Sequence, residues 1–284
     1  MLIDAHHHFW DPSRHAYPWL AGEKMAPLQR AFGPGDLAPA LASAGVGGTV
    51  LVQTISSLEE TRQFLQLSAA TEFVSGVVGW ADLTSPDLGE ELDGLRAGPG
   101  GSRLVGLRHQ VQDEEDREWL GRPDVLRGLA TVASRGLVYD LLVRAREIPA
   151  AVRAVAATPD LQFVVDHLGK PAVASGDDHE WHARMPALAA FPNVAAKVSG
   201  LVTEADWDSW SAADLEPYVH AALGWFGPQR LMWGSDWPVC LLAGGYTEVL
   251  NAAREALGDL SPAEEGAVFA GTAARVYALN KGCR

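Results

Sequence analysis

The chain has 284 residues, of which 48% are apolar and 20% charged, and its formal net charge is −14. This acidic balance argues against nucleic acid or an anionic membrane surface as a partner, since both need a basic patch. No run of about 18 apolar residues occurs, so we expect no membrane-spanning helix. The composition is that of a globular protein without low-complexity tracts, and the chain is long enough to bury a core unaided.

Only two cysteines occur, Cys240 and Cys283, and no CxxC pair is present. Such sparse usage is typical of a reducing compartment, with a disulfide between the two as the lesser alternative. The N-terminus carries no charged leader followed by an apolar run, because histidines interrupt it at once. We therefore expect a cytoplasmic protein.

Short apolar or β-branched runs recur along the chain, and their first residues lie 25 to 46 positions apart. This spacing leaves room for a crossover helix between parallel neighbours. Nearly continuous apolar runs are typical of strands that are covered on both faces. The predicted strands are Leu2–His8, Gly48–Thr54, Phe73–Trp80, Leu104–Gln110, Gly136–Leu142, Leu161–His167, Asn193–Ser199 and Arg230–Asp236.

Helical signals fill the gaps between these strands. Ser57 followed by Glu60 is a capping box, and Ser261 followed by Pro262 places proline at the first position of a C-terminal helix. The predicted helices include Ser57–Thr71, Ile148–Ala157, Thr247–Leu257 and Ser261–Leu279.

Eight strand–helix units without an internal repeat predict a single-domain α/β protein, a (β/α)8 TIM barrel over residues 1–284. A doubly wound open sheet is the alternative, but no GxGxxG motif follows the first strand. In a TIM barrel, functional residues lie at the C-terminal ends of the strands.

The first predicted strand ends in three consecutive histidines. The two-residue period of a strand places His6 and His8 on one face and His7 on the other. Two imidazoles on one face of a barrel mouth suit half of a divalent metal site, or a polar pair that binds a substrate oxygen. A purification tag is disfavoured because native strand and core residues flank the run; two structural histidines are the other alternative.

The sixth and eighth predicted strands also end in polar residues. His167 by itself is equally consistent with a core histidine and with a ligand. Asp236 ends an otherwise apolar strand, and burial of an ionised carboxylate is costly unless it is paired or bound to metal. Asp236 therefore needs a partner, unless it caps a helix.

Taken in chain order, these residues resemble the amidohydrolase superfamily. Within it, they resemble the lactonase group that includes L-fuconolactonase, L-rhamnonolactonase and 2-pyrone-4,6-dicarboxylate lactonase. The resemblance spans the chain from the first strand to the eighth. The matching segments are Asp4–Trp10, Gly76–Trp80, Gly106–Gln110, Asp166–Pro171, Lys197–Leu201 and Gly234–Pro238.

The resemblance implies a catalytic core that doubles as the ligand set for a metal: His6, His8, His167 and Asp236. It also implies that Arg108 and His109 hold the substrate carbonyl. Binuclear members use a carboxylated lysine on the fourth strand and a histidine on the fifth, and this chain has neither. The resemblance therefore leaves open one divalent ion, Zn²⁺ before others, or no metal at all.

A lactone is an activated ester, and its hydrolysis needs a water nucleophile, a base and a stabilised oxyanion. We assign the base to Asp236, which takes a proton from water and returns it to the leaving alkoxide. The histidines either ligate a metal that polarises the carbonyl or hydrogen-bond the carbonyl directly. The predicted catalytic residues are Asp236, His167 and His109.

The substrate is predicted to be a neutral sugar lactone, an aldonolactone such as L-fucono- or L-rhamnono-lactone, opened to the aldonate. A dicarboxylated substrate would need several arginines at the mouth, and only Arg108 and Arg144 qualify. Tryptophans at strand ends can stack on a sugar ring, although core packing is an equal alternative. The predicted substrate-binding residues are Arg108, Trp10, Trp80, Gln53, Asp82 and Trp237.

Two other functions compete with this prediction. The same scaffold hosts metal-dependent decarboxylases and hydrolases of unsaturated carboxylates, and a sugar-binding barrel without catalysis is a further alternative. The segment 172–181 is either a lid over the barrel mouth or a long surface connection. Association into a homo-oligomer stays open.

Overall fold

The computed structural model describes residues 1–279, and in it eight parallel strands follow one another around a barrel in chain order. All eight predicted strands are present, most of them one to four residues shorter than expected. The strands are β1 (Leu2–His7), β2 (Val46–Val52), β3 (Val74–Gly79), β4 (Leu104–His109), β5 (Val138–Leu141), β6 (Phe163–Val165), β7 (Val194–Val198) and β8 (Leu231–Trp233). The predicted α/β class and TIM-barrel fold are confirmed.

Helices follow the strands and cover the outside of the barrel. They are α1 (Pro34–Ala44), α2 (Leu58–Ala69), α3 (Leu88–Ala97), α4 (Pro123–Ser134), α5 (Ile148–Ala157), α6 (His179–Ala189), α7 (Leu201–Glu204), α8 (Ala212–Phe226), α9 (Tyr246–Leu257), α10 (Pro262–Gly266) and α11 (Thr272–Val276). Within residues 1–279, no helix has both the length and the apolar character that a membrane span requires.

The capping signals act as expected, and the C-terminal helix forms with a π-helical turn in its middle. The Ser57 side chain accepts a hydrogen bond from the Glu60 backbone at 3.2 Å, which starts α2. The predicted helix 261–279 runs from Pro262 to Val276, and its middle turn, Ala267–Gly271, is π-helical. Tyr277 and Leu279, which follow it, pack among the apolar strand residues of the barrel interior. Cys283 and its disulfide alternative lie outside the described residues.

The barrel closes through the residues that follow β8 rather than through β8 itself. The backbone N–H of Asp236 donates to the His6 carbonyl at 2.8 Å, and that of His8 donates to the Trp237 carbonyl at 2.7 Å. A parallel bridge joins His7 to Trp237. The closing seam thereby brings the C-terminal ends of β1 and β8 together.

The interior of the barrel is apolar at the N-terminal end and charged toward the C-terminal end. Interior positions alternate with outward ones along each strand, as the two-residue period requires. On β5, Val138 is followed by Asp140, and on β7 Ala195 is followed by Lys197. The C-terminal segment closes the apolar end, where Tyr277 packs among the strand residues.

The pairing of β1 with β2 shifts register between Asp4 and His7. Ile3 and Ala5 belong to the apolar interior, and beyond the shift His6 lies among charged interior residues. The predicted parity holds at the strand end: His7 leaves the interior and bonds to Thr49 Oγ1 at 2.9 Å.

Candidate active site

Four side chains from three strand ends meet at the barrel mouth; we call them the His–Asp cluster: His6, His8, His167 and Asp236. The two Nε2 atoms of His6 and His8 are 3.1 Å apart. Asp236 Oδ1 lies 3.3 Å from His8 Nε2, 3.7 Å from His6 Nε2 and 4.0 Å from His167 Nε2. The carboxylate thus faces three imidazoles.

Two members of the His–Asp cluster sit on strained backbone. His167 has φ of 53° and Asp236 has φ of 57°, in the left-handed region that non-glycine residues rarely occupy. Such conformations cost about 1–3 kcal/mol each and persist where the surrounding structure enforces them, often at functional sites. Here the chain pays this cost to turn both side chains toward the cavity at the end of their strands.

Two glycines make room for the imidazoles. A Cβ at Gly200, itself at φ of 62°, would lie 2.4 Å from His167 Nδ1, and a Cβ at Gly234 would lie 2.6 Å from the His6 Cβ. A larger residue would displace the His167 ring at position 200 and the His6 backbone at position 234, so both close approaches depend on glycine.

Hydrogen bonds from outside the cluster orient two of its rings. His8 Nδ1 lies 2.8 Å from the Val52 carbonyl, which only accepts, so Nδ1 carries a proton and Nε2 faces the cavity. His167 Nδ1 is 2.9 Å from the Ser199 hydroxyl. The other ring nitrogen of each histidine is thereby directed toward Asp236.

Beneath the His–Asp cluster lies a buried ionic group that we call the lysine network: Lys197, Asp140 and Asp166. The Lys197 ammonium is 2.6 Å from Asp140 Oδ2 and 2.9 Å from Asp166 Oδ1, and all three side chains are fully buried. The Tyr277 hydroxyl donates to Asp140 at 2.8 Å. Arg108 adds a second cation at 2.9 Å from Asp166 Oδ2.

His6 joins the two groups. Its Nδ1 lies 3.2 Å from Lys197 Nζ and 3.3 Å from Asp166 Oδ1, while its Nε2 faces His8 and Asp236. Arg108 reaches the same Nε2 at 3.3 Å. The lysine network therefore fixes the Nδ1 side of the His6 ring, and the Nε2 side faces the rest of the His–Asp cluster.

Burial and neighbouring charges set the protonation states. Burial raises the pKa of Asp236, but His167 and His8 more than offset it, so the pKa lies below its ordinary value. Burial lowers the pKa of His167 to about 4 and holds that of His6 well below its usual range. At neutral pH Asp236 is an ionised carboxylate beside the neutral imidazoles of His6 and His167, which is the state a general base requires.

The carboxyls of the lysine network are shifted in opposite directions. Burial raises the pKa of Asp140 to about 6, because only one cation, Lys197, opposes it. Burial also raises the pKa of Asp166. Lys197, His6 and Arg108 outweigh this effect and hold the pKa of Asp166 well below its ordinary value.

The His–Asp cluster opens into a cavity of about 150 Å³ at the barrel mouth. Its wall combines charged groups, amides and hydroxyls with a few apolar side chains, and so suits a small polar ligand. The lining residues are His8, Trp19, Thr54, Arg108, Gln110, Gln112, Asp113, Leu142, His167, Lys170, Thr203, Asp236 and Val239. No residue of the segment 172–181 is among them, and α6 begins within that segment.

The structure brings Arg108 to the cavity and places Gln53 behind it. Arg108 lines the cavity, and its guanidinium donates to the Gln53 side-chain oxygen at 3.1 Å. Gln53 is fully buried, and its amide also donates to Gln110 at 3.1 Å. Gln53 therefore contacts Arg108 rather than the open cavity.

His109 and Trp80 lie together on the outer side of β4, away from the His–Asp cluster. Trp80 Nε1 donates to His109 Nδ1 at 3.0 Å, and His109 Nε2 is 2.7 Å from Glu114. The His109 ring stacks on Trp119 with centroids 4.2 Å apart. Both ring nitrogens have protein partners, so the geometry does not bring His109 to Asp236.

The remaining predicted substrate ligands also lie outside the cavity. Trp10 is buried and donates to the Leu28 carbonyl at 3.1 Å, while Trp237 packs edge-on against Phe32. Asp82 is exposed and closes a turn by accepting from Thr84. The two tryptophans therefore pack in the core, which was the alternative to stacking on a sugar ring.

Sequence reasoning assigned no role to several residues that the structure gathers here: Asp166, Lys197, Tyr277, Trp19 and Gln112. A signal existed for two of them, since Asp166 and Lys197 are ionisable residues within predicted apolar strands and need buried partners. Trp19 and Gln112 lie in loops, where no periodicity points to a facing direction.

The donor set of the His–Asp cluster fits a divalent metal. Ligand atoms of His6, His167 and Asp236 all lie within 4.8 Å of one another, and all three residues are buried. Tetrahedral zinc ligands about 2.0–2.1 Å from the metal lie roughly 3.3 Å apart, and Asp236 Oδ1 lies 3.7 and 4.0 Å from the Nε2 atoms of His6 and His167. Neutral imidazoles and one carboxylate are ligands that zinc accepts.

A (β/α)8 barrel with histidines at the ends of β1 and β6 and an aspartate after β8 defines a hydrolase-type metal or acid–base site. The chain belongs to the amidohydrolase family, whose model matches residues 3–279. The match covers every strand, the His–Asp cluster and the lysine network.

Among its relatives is an L-fucono-1,5-lactonase of Burkholderia multivorans, 44% identical over 98% of this chain and 96% of the relative. Another, from Burkholderia ambifaria, has the same name and is 40% identical over 98% of this chain and 96% of its own length. A crystal structure of an amidohydrolase from Burkholderia multivorans with bound zinc has a TM-score of 0.92 and 42% identity, covering 99% of this chain and 100% of the other.

Proposed function

We propose that this protein is a lactonase that opens a sugar 1,5-lactone, with L-fucono-1,5-lactone as the first substrate to test. The observation that carries the proposal is an ionised Asp236 facing three imidazoles at the mouth of a small polar cavity. Full-length relatives with 40–44% identity carry the name L-fucono-1,5-lactonase, which supports this substrate.

In the proposed mechanism, Asp236 takes a proton from a water molecule whose oxygen attacks the lactone carbonyl carbon. The bond from that carbon to the ring oxygen then breaks, and Asp236 returns the proton to the leaving alkoxide. Arg108 holds the carbonyl oxygen as negative charge develops on it, and His167 donates to the same oxygen through Nε2 when its Nδ1 accepts from Ser199. The product is the open aldonate.

A single zinc ion belongs to this proposal, held by His6, His167 and Asp236 with His8 beside them. When bound, such an ion polarises a carbonyl and lowers the pKa of a coordinated water. Arg108 stands 3.3 Å from His6 Nε2, so a cation in the cluster would meet a second cation. Asp166 neutralises that arginine at 2.9 Å, which keeps the ligand set compatible with a metal.

A pH-indicator assay over a panel of aldonolactones tests the activity, because each turnover releases an acid proton. We expect turnover of L-fucono-1,5-lactone, and no signal with any sugar lactone would overturn the proposal. Decarboxylation of an unsaturated carboxylate in a parallel assay would favour the other function. Activity before and after chelation, together with metal analysis of the purified protein, decides the role of zinc.

A cytoplasmic location and a place in carbohydrate metabolism complete the proposal. The buried thiol of Cys240 is consistent with a reducing compartment. Fractionation of the native host, probed with an antibody against this chain, tests the location.

A further inference from the structure

A buried carboxylate, Asp4, lies on β1 beside the closing seam of the barrel. Asp4 is fully buried and is not among the residues that line the cavity. Its Oδ1 accepts from the backbone N–H of His6 at 3.1 Å and from that of Ser235 at 2.9 Å. Its Oδ2 accepts from the Ser235 hydroxyl at 2.6 Å and from the Tyr246 hydroxyl at 2.9 Å. One side chain thus joins β1, the segment after β8 and α9.

The hydrogen bonds of this side chain hold the backbone on both sides of Asp236. The N–H of Ser235, which precedes Asp236, is bonded to Asp4. The N–H of Trp237, which follows Asp236, donates to the Ser235 hydroxyl at 3.0 Å, and that hydroxyl donates to Asp4. Between them, the N–H of Asp236 donates to the His6 carbonyl. Three successive N–H groups therefore have fixed acceptors around a residue whose left-handed backbone persists only where its surroundings enforce it.

A carboxylate at this position has a cost that only its bonds explain. Burial of a carboxylate is unfavourable, and an apolar residue of the same size would fill the space without that penalty. The backbone N–H groups of His6 and Ser235 can only donate, however, so an apolar residue would leave both without their acceptor. The need for Asp4 therefore lies in the backbone that carries His6 and Asp236.

From this arrangement we infer that Asp4 is a positioning residue, which fixes the direction in which the Asp236 carboxylate faces the imidazoles. The inference rests on the proposed lactonase function and adds to it the group that orients the general base. Asp4 touches neither the substrate nor the reacting atoms in this assignment. Its loss should therefore lower kcat and leave KM nearly unchanged.

The first test measures kcat and KM for L-fucono-1,5-lactone in the wild type, Asp4→Leu and Asp4→Asn, at a temperature where each protein is folded. Leucine has the same number of side-chain atoms and no acceptor. We expect it to lower kcat about 10–100-fold, as is typical when a group that orients site residues is lost. Asparagine keeps one oxygen for the two N–H groups, and both hydroxyls can turn to accept from its amide, so most of the kcat should return.

Tyr246→Phe is the control within the same group of bonds. It removes the hydroxyl that α9 contributes and keeps the ring, which packs edge-on against Trp233. Both backbone bonds of Asp4 remain. The thermal midpoint should therefore fall, while kcat stays near that of the wild type.

Ser235→Ala tests the same inference without changing Asp4, and it decides the matter if Asp4→Leu does not fold. It removes the acceptor of the Trp237 N–H, and we expect kcat to fall about tenfold. Thr61→Val is the matched control. The Thr61 hydroxyl is buried and accepts the backbone N–H of Trp80 at 2.7 Å, away from the His–Asp cluster, so its loss should leave kcat unchanged.

A double-mutant cycle shows whether the effect passes through Asp236. Ser235→Ala should cost much less kcat in the Asp236→Asn background than in the wild type, because the base that it positions is already absent. A loss by the same factor in both backgrounds would overturn the inference.

The results also distinguish this inference from the proposed function. If the wild type hydrolyses no sugar lactone, the proposed function fails, and this inference fails with it. If the wild type is active and both Asp4→Leu and Ser235→Ala keep their kcat, this inference alone is overturned. An equal fall of kcat in Tyr246→Phe or in Thr61→Val also overturns it, since kcat would then follow stability rather than the direction of Asp236.

Discussion

Two groups of charged side chains meet at His6, and they are completed in different ways. In the lysine network, Lys197 is bonded to two carboxylates, and the Tyr277 hydroxyl donates to Asp140. In the His–Asp cluster, the ion-pair partners of the Asp236 carboxylate within residues 1–279 are three imidazoles 3.3 to 4.0 Å away, and Asp236 borders a cavity. A closed set of pairs stabilises a structure, whereas an incompletely satisfied carboxylate is available for a reaction.

Backbone strain also differs between the His–Asp cluster and the lysine network. Asp236 and His167 hold left-handed backbone, while Lys197 and Asp140 lie on regular strands. The lysine network therefore serves as a rigid base on which the more strained cluster is oriented through His6. We therefore expect substitutions in the lysine network to lower stability and substitutions in the His–Asp cluster to lower activity.

The largest effect on stability is expected from Lys197→Met. The change leaves two buried carboxylates without their shared cation, which typically costs about 3–5 kcal/mol in unfolding free energy. Denaturant unfolding followed by fluorescence measures the loss. Lys197→Met combined with Asp140→Asn should recover part of it, because one of the uncompensated charges is gone. Stability within the error of the wild type would contradict the role of the network.

Asp236→Asn should instead affect activity. The amide cannot take a proton from water, so we expect turnover of the lactone to fall by at least about 10²–10³, as for loss of a main catalytic group. The thermal midpoint should stay near that of the wild type. Asp208→Asn, at an exposed position, is the control. Near-normal turnover in Asp236→Asn would contradict the assignment of Asp236 as the general base.

Gly200→Ala tests the packing that turns His167 toward the cavity. The new Cβ would lie 2.4 Å from His167 Nδ1, and such overpacking typically costs about 1–3 kcal/mol. We expect lower stability and lower kcat. Gly136→Ala is a matched control, since Gly136 has the same φ of 62° and no atom near its Cβ position. Equal effects in the two variants would mean that backbone strain, and not the histidine, explains the result.

The smallest expected effect is a pH dependence that comes from Asp140. Its pKa is about 6 in the folded protein, above the value of 3.8 for the free side chain, because burial penalises the charge. The stability that it contributes is therefore fully present below pH 3.8 and is lost as the pH rises through 6. Comparing the pH dependence of unfolding free energy in the wild type and Asp140→Asn isolates this contribution. A steeper fall in the variant would reverse the sign and refute it.

Much of the fold was predictable because a barrel repeats one pattern. Each strand is an apolar run with a crossover helix, and the eight predicted strands match β1 to β8. The two-residue period also separated His6 and His8 from His7. The same period separates Arg108 from His109 on β4, so the sequence already contained the reason why His109 leaves the interior.

Other features depended on tertiary structure. Trp19 reaches the cavity from the segment between β1 and α1, and Gln112 from the turn after β4. Trp10 and Trp237, which lie at strand ends as the sequence suggested, pack elsewhere. A loop side chain has no period that fixes its direction, so packing alone decides what it faces.

The sequence by itself determined that polar residues stand at the C-terminal ends of strands, where parallel strands in a barrel bring them to one mouth. Only the tertiary structure decided which of them are free to meet a ligand. Pairing across strands is the physical reason: Gln53 bonds to Arg108, His109 to Trp80, and Lys197 to two aspartates, and none of these partners is near in sequence. The polar groups that these pairings leave without a partner form the candidate active site.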